Sequence, residues 1–366
     1  MQTLLGLRNR LLSSRRFQFH AARFWPTRWV AARRARALFD LCAGFVYSQV
    51  LHACVRLDCF ELLAERPLPL AEFGARCGLS PDAARRLVDA AVSIDLFQRT
   101  GDDRVALGIH GAAMRADPAF AAMIRHNTMF YRDLADPVAL LRDEGRPTEL
   151  QRFWHYARAP APGAPEPCDD AGYSELMSST VSLVLEDTLD AIGDLRFSHW
   201  VDIGGGEGVF ACALASRFPE RRFGVFDMPG VAARAAARIA RAGLGGRVET
   251  FAGDFHRDAL PRDADAFSLV RVLHDHDDVG AAALLSRIAS ALPAGGSLLL
   301  SEPMADRGGR DRMAQAYLNL YLHAMGSGRT RSVGRIRAML EQAGFSTSRA
   351  LRSPRPLLNS VILATR

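Results

Sequence analysis

The apolar pattern of the chain changes character past its midpoint. From Val201 onward, runs of strand length at Arg222–Phe226, Val248–Ala252, Ala266–Leu273 and Ser297–Leu300 alternate with helical patterns at Val231–Gly243 and Val279–Leu292. Short apolar runs bounded by turn residues suit strands buried on both faces. Their alternation with helices predicts a parallel sheet covered on both sides. A further helical segment, Tyr173–Leu195, leads into the opening strand.

The first half reads differently. Ala37–Leu63 is apolar and helical, interrupted at Gly44, with few polar positions left for solvent. A helix of that kind must be covered, and in a small domain a second subunit is the natural cover. Leu70–Leu107 has the pattern of a winged helix-turn-helix: a helix to Cys77, a turn at Gly78, Ser80 as N-cap before Pro81, a helix to Ile94 and a hairpin about Gly101. Its second helix sets Asp82 and Asp89 against Arg85 and Arg86, so it has little pull on phosphate. Dimerisation, not nucleic-acid binding, is the expected use. Phe120–Tyr156 continues as helix, and the proline-rich stretch 157–170 reads as a linker. The expected organisation is a basic arm over 1–36, a helical winged-helix dimerisation domain over 37–156, the linker, and an α/β domain over 171–366.

Length and charge sharpen this picture. At 366 residues two domains are the prior expectation, and a net charge of +6 admits an anionic partner. The charge is concentrated: nine arginines lie between Arg8 and Arg36, and no acidic residue precedes Asp40. Leu4, Leu5, Leu7, Leu11, Leu12, Phe17, Phe19, Phe24, Trp25 and Trp29 are interleaved with them. That is the composition of a basic interfacial helix, of an arm packed on a partner subunit, or of an organelle transit peptide. No run of eighteen apolar residues occurs, and the six cysteines form no C-x-x-C pair. The expectation is a cytoplasmic protein, soluble or peripheral, with reduced structural thiols and no metal site.

The chemistry gathers at VDIGGGEGVF, residues 201–210, a strand, a glycine turn and a helix start. Gly204 and Gly206 remove side chains that would hold a ligand off the backbone, and Asp227 follows Gly204 by 23 residues, where it can accept both hydroxyls of a ribose. The third glycine of a dinucleotide fingerprint would stand at 209, which is Val, and Asp202 is unfavourable beside a pyrophosphate. A cationic nucleoside, S-adenosylmethionine, fits better; a structural turn with no ligand is the plain alternative. Ligands of such sheets sit beyond the carboxyl ends of the strands. Asp202, Asp227, Asp254 with Phe255, His274 with Asp275, and Glu302 all fall there.

The blocks VDIGGGEG, FDMPGV, GDFH, RVLHDHDD and SEPM, spread over residues 197–304, resemble the S-adenosylmethionine-dependent O-methyltransferases of the plant caffeate and hydroxyindole type. The segments ALFDLCAGFVYSQVL, ADPVALLR, ELQRFW and MGSGRTRS look closer still to the bacterial carotenoid branch of that family. The resemblance implies a Rossmann-like methyltransferase domain in a homodimer. It would set Asp202, Gly204 and Gly206 around the methionine part, Asp227 on the ribose, and Asp254 with Phe255 at the adenine. His274 would be the general base, with Glu302 holding its other nitrogen. The implied acceptor is hydrophobic, the C-1 hydroxyl of a 1-hydroxycarotenoid, and the implied location is cytoplasmic, possible contact with the inner or photosynthetic membrane being made through 1–36. Two positions depart from the relatives: His276 stands where they usually carry Trp, and Gly328 where phenol-methylating members place a second glutamate before Arg329 and Thr330. Met177, Met313, Tyr317, Tyr321 and Met325 are candidates for an apolar pocket or for plain core. Methylation of a phenolic or polyketide metabolite, and a winged-helix regulator that senses S-adenosylmethionine, are the alternatives.

Overall fold

The computed structural model describes residues 2–101, 103–143, 147–154, 171–193, 195–305, 313–352 and 359–366. It divides into two compact units, Met1–Ala116 and Asp117–Arg366.

The first unit begins with helices α1 (Gln2–Ser13), α2 (Arg15–Arg23) and α3 (Arg28–Arg56), followed by the short α4 (Cys59–Leu62). The break expected at Gly44 is absent, and α3 runs through it. One interior glycine costs about 1 kcal/mol against alanine, too little to stop a helix whose other residues favour it. The helix ends where Asp58 turns left-handed, at φ 50°. Strand β1 (Leu68–Pro69), α5 (Leu70–Arg76), α6 (Pro81–Ser93), β2 (Phe97–Thr100), β3 (Arg104–Leu107) and α7 (Ile109–Met114) complete the unit. Ser80 caps α6 by accepting from the Ala83 N–H, and the strands form a small antiparallel sheet in the order β1-β3-β2. Phe60, Phe73 and Phe97 meet edge-on beneath it. By contrast, α1, α2 and most of α3 expose their apolar side chains, Leu4 at 73% and Trp29 at 63% among them. Among the described residues α3 is the one helix long and apolar enough to cross a membrane.

The second unit opens with α8 (Pro118–Asp133), α9 (Pro137–Leu141), α10 (Glu149–Phe153) and α11 (Ala171–Ile192). The further helix expected over 120–156 is present as the separate pieces α8, α9 and α10, and α8 packs on α11 inside the second unit. Asp117 and Asp136 cap new helices at prolines, which start a helix more readily than they continue one. The proline-rich stretch 157–170 lies outside the described residues. The remainder alternates as β4 (His199–Ile203), α12 (Val209–Arg217), β5 (Arg222–Asp227), α13 (Pro229–Arg241), β6 (Val248–Ala252), β7 (Ala266–Val270), α14 (Asp278–Ala291) and β8 (Ser297–Glu302). After these come α15 (Asn319–Met325), α16 (Val333–Gln342), β9 (Thr347–Leu351) and β10 (Ser360–Thr365).

The sheet order is β6-β5-β4-β7-β8-β10-β9, parallel from β6 to β8, with β10 antiparallel to both of its neighbours. Strand order reverses at β4, which opens a crevice at its carboxyl end. Side chains of each strand alternate between two cores. Val201, Phe267, Leu298 and Leu300 join α14 and α16 on one face, while Trp200, Ala266 and Leu299 join α11 and α12 on the other. A closed polar triangle lies within: Thr188 Oγ1 and Ser301 Oγ are 2.7 Å apart, Ser301 donates to Asn359 at 3.0 Å, and Asn359 donates back to Thr188 at 2.9 Å. All three side chains are buried, and their mutual hydrogen bonds satisfy them there.

Candidate active site

The turn after β4 is shaped by three left-handed glycines, Gly204 (φ 68°), Gly206 (φ 57°) and Gly208 (φ 78°). A β-carbon at Gly204 would stand 2.9 Å from Val272, whereas one at Gly206 would meet nothing within 4 Å, so open space lies in front of Gly206. Asp227 braces the turn from the end of β5. Its Oδ2 accepts the Gly206 N–H at 2.8 Å and its Oδ1 the Met228 N–H at 2.7 Å. Asp202 is buried beneath the turn and accepts from Ser268 Oγ at 2.5 Å. Burial raises both carboxylates, Asp202 to about 7 and Asp227 to about 6, and neighbouring hydrogen-bond donors only partly offset it. Asp202, buried, and Asp227, half-buried, stand beside an open glycine cradle and form a pair of acceptors that a cationic nucleoside would relieve and a pyrophosphate would not. The residues present therefore fit S-adenosylmethionine. Asp254 and Phe255 follow β6. Asp254 accepts from the His256 N–H at 2.8 Å, and Phe255 packs over Gly204.

His274 lies beyond the strand as the sequence suggested, but the strand stops three residues short of the expected Leu273. Arg271 adopts φ 59° and ends β7 at Val270, and His274 sits in the 3₁₀ turn Leu273–Asp275. Glu302, fully buried at the end of β8, receives this turn with one oxygen: Oε2 accepts the His274 backbone N–H at 3.0 Å and lies 3.3 Å from Nδ1. That contact assigns the ring proton to Nδ1 and leaves Nε2 as the acceptor. Asp275 Oδ1 stands 3.3 Å from Nε2. Burial alone would lower the imidazole, but the Asp275 and Glu302 carboxylates on its two sides outweigh it, and His274 is held above the ordinary histidine range. The structure thus brings the base candidate and its glutamate together as the sequence suggested.

Two contributors escaped the sequence reading. Ser268, inside β7, holds Asp202, and Arg331, only 3% exposed, ties down the 273–276 turn. The Arg331 guanidinium donates to the carbonyls of Leu273 and His276 at 3.0 and 2.7 Å and to Asp278 Oδ1 at 2.9 Å. Nothing in the local pattern of either residue marks it, because each acts on a segment distant in sequence. The side chains of Met177 and Met313 are outside the described set. Tyr321 and Met325 belong to a buried cluster with Phe130, Leu150 and Trp154. The Tyr321 hydroxyl accepts from Trp154 Nε1 at 2.7 Å and lies 2.6 Å from His126 Nε2, and Tyr317 stacks on Tyr321. These residues are packed core, the plainer of their two readings. Among the described residues, no group of three or more His, Cys, Asp or Glu side chains is placed to hold a metal ion.

Comparison with known proteins agrees with this geometry. Residues 131–346 match the O-methyltransferase domain family and residues 39–109 the O-methyltransferase dimerisation domain family. The chain is 41% identical to demethylspheroidene O-methyltransferase of Cereibacter sphaeroides, over 98% of this chain and 94% of the relative. It is 33% identical to acetylserotonin O-methyltransferase of Mus musculus, over 91% and 89% of the two chains. Human N-acetylserotonin methyltransferase in complex with SAM has a matching structure, with a TM-score of 0.74 and 27% identity over 91% of this chain and 97% of that one. The dimerisation match begins inside α3 and accounts for its exposed Phe39, Leu41, Phe45 and Val46; it supports a homodimer. With a Rossmann-like sheet, a glycine cradle edged by two acids and a family match over most of the second unit, the chain belongs to the S-adenosylmethionine-dependent O-methyltransferases.

Proposed function

We propose that this enzyme methylates the C-1 hydroxyl of 1-hydroxycarotenoids, converting hydroxyneurosporene to methoxyneurosporene and demethylspheroidene to spheroidene, with His274 as general base. The observation that carries the acceptor is the 41% identity to a demethylspheroidene O-methyltransferase over nearly the whole of both chains. S-adenosylmethionine supplies the methyl group and a neutral thioether leaving group. A tertiary alcohol is a poor acid, so His274 Nε2 takes the proton as the carbon–oxygen bond forms and never generates a free alkoxide. Glu302 keeps Nδ1 protonated and Asp275 stabilises the imidazolium. Asp202, Gly204, Gly206 and Asp227 hold the methionine and ribose parts, and Asp254 with Phe255 faces the adenine.

A polyene acceptor resides in a bilayer. We therefore place the enzyme in the cytoplasm, peripheral on the inner or photosynthetic membrane, with the exposed apolar and arginine side chains of residues 1–36 making the contact. The 33% identity to acetylserotonin O-methyltransferase favours a second reading, an aromatic hydroxyl acceptor. Methyl-transfer assays with 1-hydroxyneurosporene, demethylspheroidene and a panel of small phenols separate the two. The carotenoids are expected to be methylated and the phenols left alone; transfer to phenols only removes the carotenoid acceptor and leaves the methyltransferase intact.

A further inference from the structure

Three rings crowd the side of the glycine turn formed by the loops after β6 and β7. Phe255 Cε1 lies 3.5 Å from the position a β-carbon would take at Gly204. His256 follows with its ring centroid 4.6 Å from that of Phe255, and His276 meets Phe255 edge-on at 5.6 Å and His256 edge-on at 4.8 Å. Each loop is fixed by an arginine. Arg287 donates to the Phe255 carbonyl at 2.8 Å and also reaches the Asp258 carbonyl, and Arg331 donates to the His276 carbonyl at 2.7 Å. Backbone anchors therefore set where the rings stand.

His276 is 8% exposed, and neither of its ring nitrogens is among the fully buried unpartnered atoms, so the imidazole edge still reaches open space beside Phe255. Burial, reinforced by the neighbouring His256, pushes it down to about 4, and it is neutral at any physiological pH. A neutral imidazole carries one N–H donor and one acceptor. A ring nitrogen that reaches open space can bond a ligand without first giving up a protein partner. The relatives' usual tryptophan offers a broad apolar wall at this position, while histidine offers a smaller ring with a directed donor.

We infer that His276 is a specificity-determining residue of the cofactor site, its imidazole N–H donating to a ring nitrogen of the adenine beside Phe255. This rests on the reading that Asp254 and Phe255 face the base. The contact supplements Asp254, which as a carboxylate can only accept, and it makes base recognition in this chain more polar than a tryptophan would.

Calorimetric titration with S-adenosylhomocysteine and its 1-deaza, 3-deaza and 7-deaza analogues tests the assignment without turnover. Each analogue replaces one ring nitrogen by C–H. In the native enzyme at least one replacement should weaken binding about five- to tenfold, the scale of one hydrogen bond. In His276→Phe that penalty should vanish while affinity for the same analogue is unchanged, which also shows the variant to be folded. His276→Asn, which can still donate, should retain part of the penalty. Equal deaza penalties in native enzyme and His276→Phe overturn the proposal. Failure of the native enzyme to bind S-adenosylhomocysteine at all would instead bring down the cofactor-site reading, and this inference with it.

Discussion

Gly328 packs so tightly against the His274 turn that a β-carbon there would stand 2.4 Å from the His274 carbonyl oxygen. Its φ of 90° is also one that only glycine adopts without strain. The carboxylate that phenol-methylating relatives carry here is thus excluded by the backbone. Gly328→Glu is expected to give no phenol methylation and to lose at least about 1–3 kcal/mol of stability from backbone strain alone. Denaturant unfolding and a phenol assay measure both, and a stable variant that methylates phenols would contradict the steric argument.

His274→Ala should bind S-adenosylmethionine normally and turn over roughly 10² to 10⁴ times more slowly. A base must be neutral to act, and the flanking carboxylates hold His274 above the ordinary histidine value. The rate should therefore rise with pH through a limb lying above about 6.5, the ordinary histidine value. Glu302→Gln removes one of the raising charges and should move that limb toward acid. A limb in the same place in both enzymes would show that Glu302 does not govern the base.

Desolvation pushes Asp202 up to about 7 and Asp227 up to about 6. A cationic cofactor favours their ionised forms, so binding should release protons around pH 6 to 7 and tighten as pH rises through that window. Titrations at pH 6.5 in two buffers of different ionisation enthalpy count those protons; none released would mean that the carboxylates do not sense the ligand. Asp227→Ala should also cost about 1–3 kcal/mol of binding, since it frees the Gly206 N–H as well as the ribose.

Because α3 starts at Arg28, a deletion of residues 1–36 would cut into it, and the informative deletion is 1–26. This removes α1, α2 and five arginines, each worth about 1 kcal/mol near an anionic surface. Binding to vesicles containing phosphatidylglycerol should fall, and methylation of membrane-embedded substrate should slow more than methylation in detergent. Unchanged vesicle binding with an altered sedimentation coefficient would assign the arm to the partner subunit.

The strands and their chemistry were legible because the pattern that buries them is local. Val248–Ala252 matches its expected bounds, and Asp202, Asp227 and Glu302 fall at or within a residue of their strand ends. The pair of His274 with Glu302 followed from adjacent strand ends. What stayed hidden depends on backbone conformation or remote partners. No propensity forecasts the left-handed Arg271 that ends β7 early, and the obligate glycine at 328 becomes intelligible only when the His274 carbonyl is seen above it. The antiparallel β9 and β10 went unread because their pairing with β8 is not written in either segment alone.

Arg331 should give the site an uneven resistance to heat. The acids proposed to grip the cofactor stand at the ends of adjacent strands, Asp202 paired in register with Val225 and Asp227 with Ala252. The turn that carries the proposed base, His274, is braced instead by a guanidinium bound to the Leu273 carbonyl 58 residues before it in sequence. Local openings are less costly than global unfolding. If the segment around Arg331 loosens first, warming produces an intermediate enzyme that still retains its methyl donor but no longer accepts the proton, so inactivation precedes both release of the cofactor and melting of the sheet.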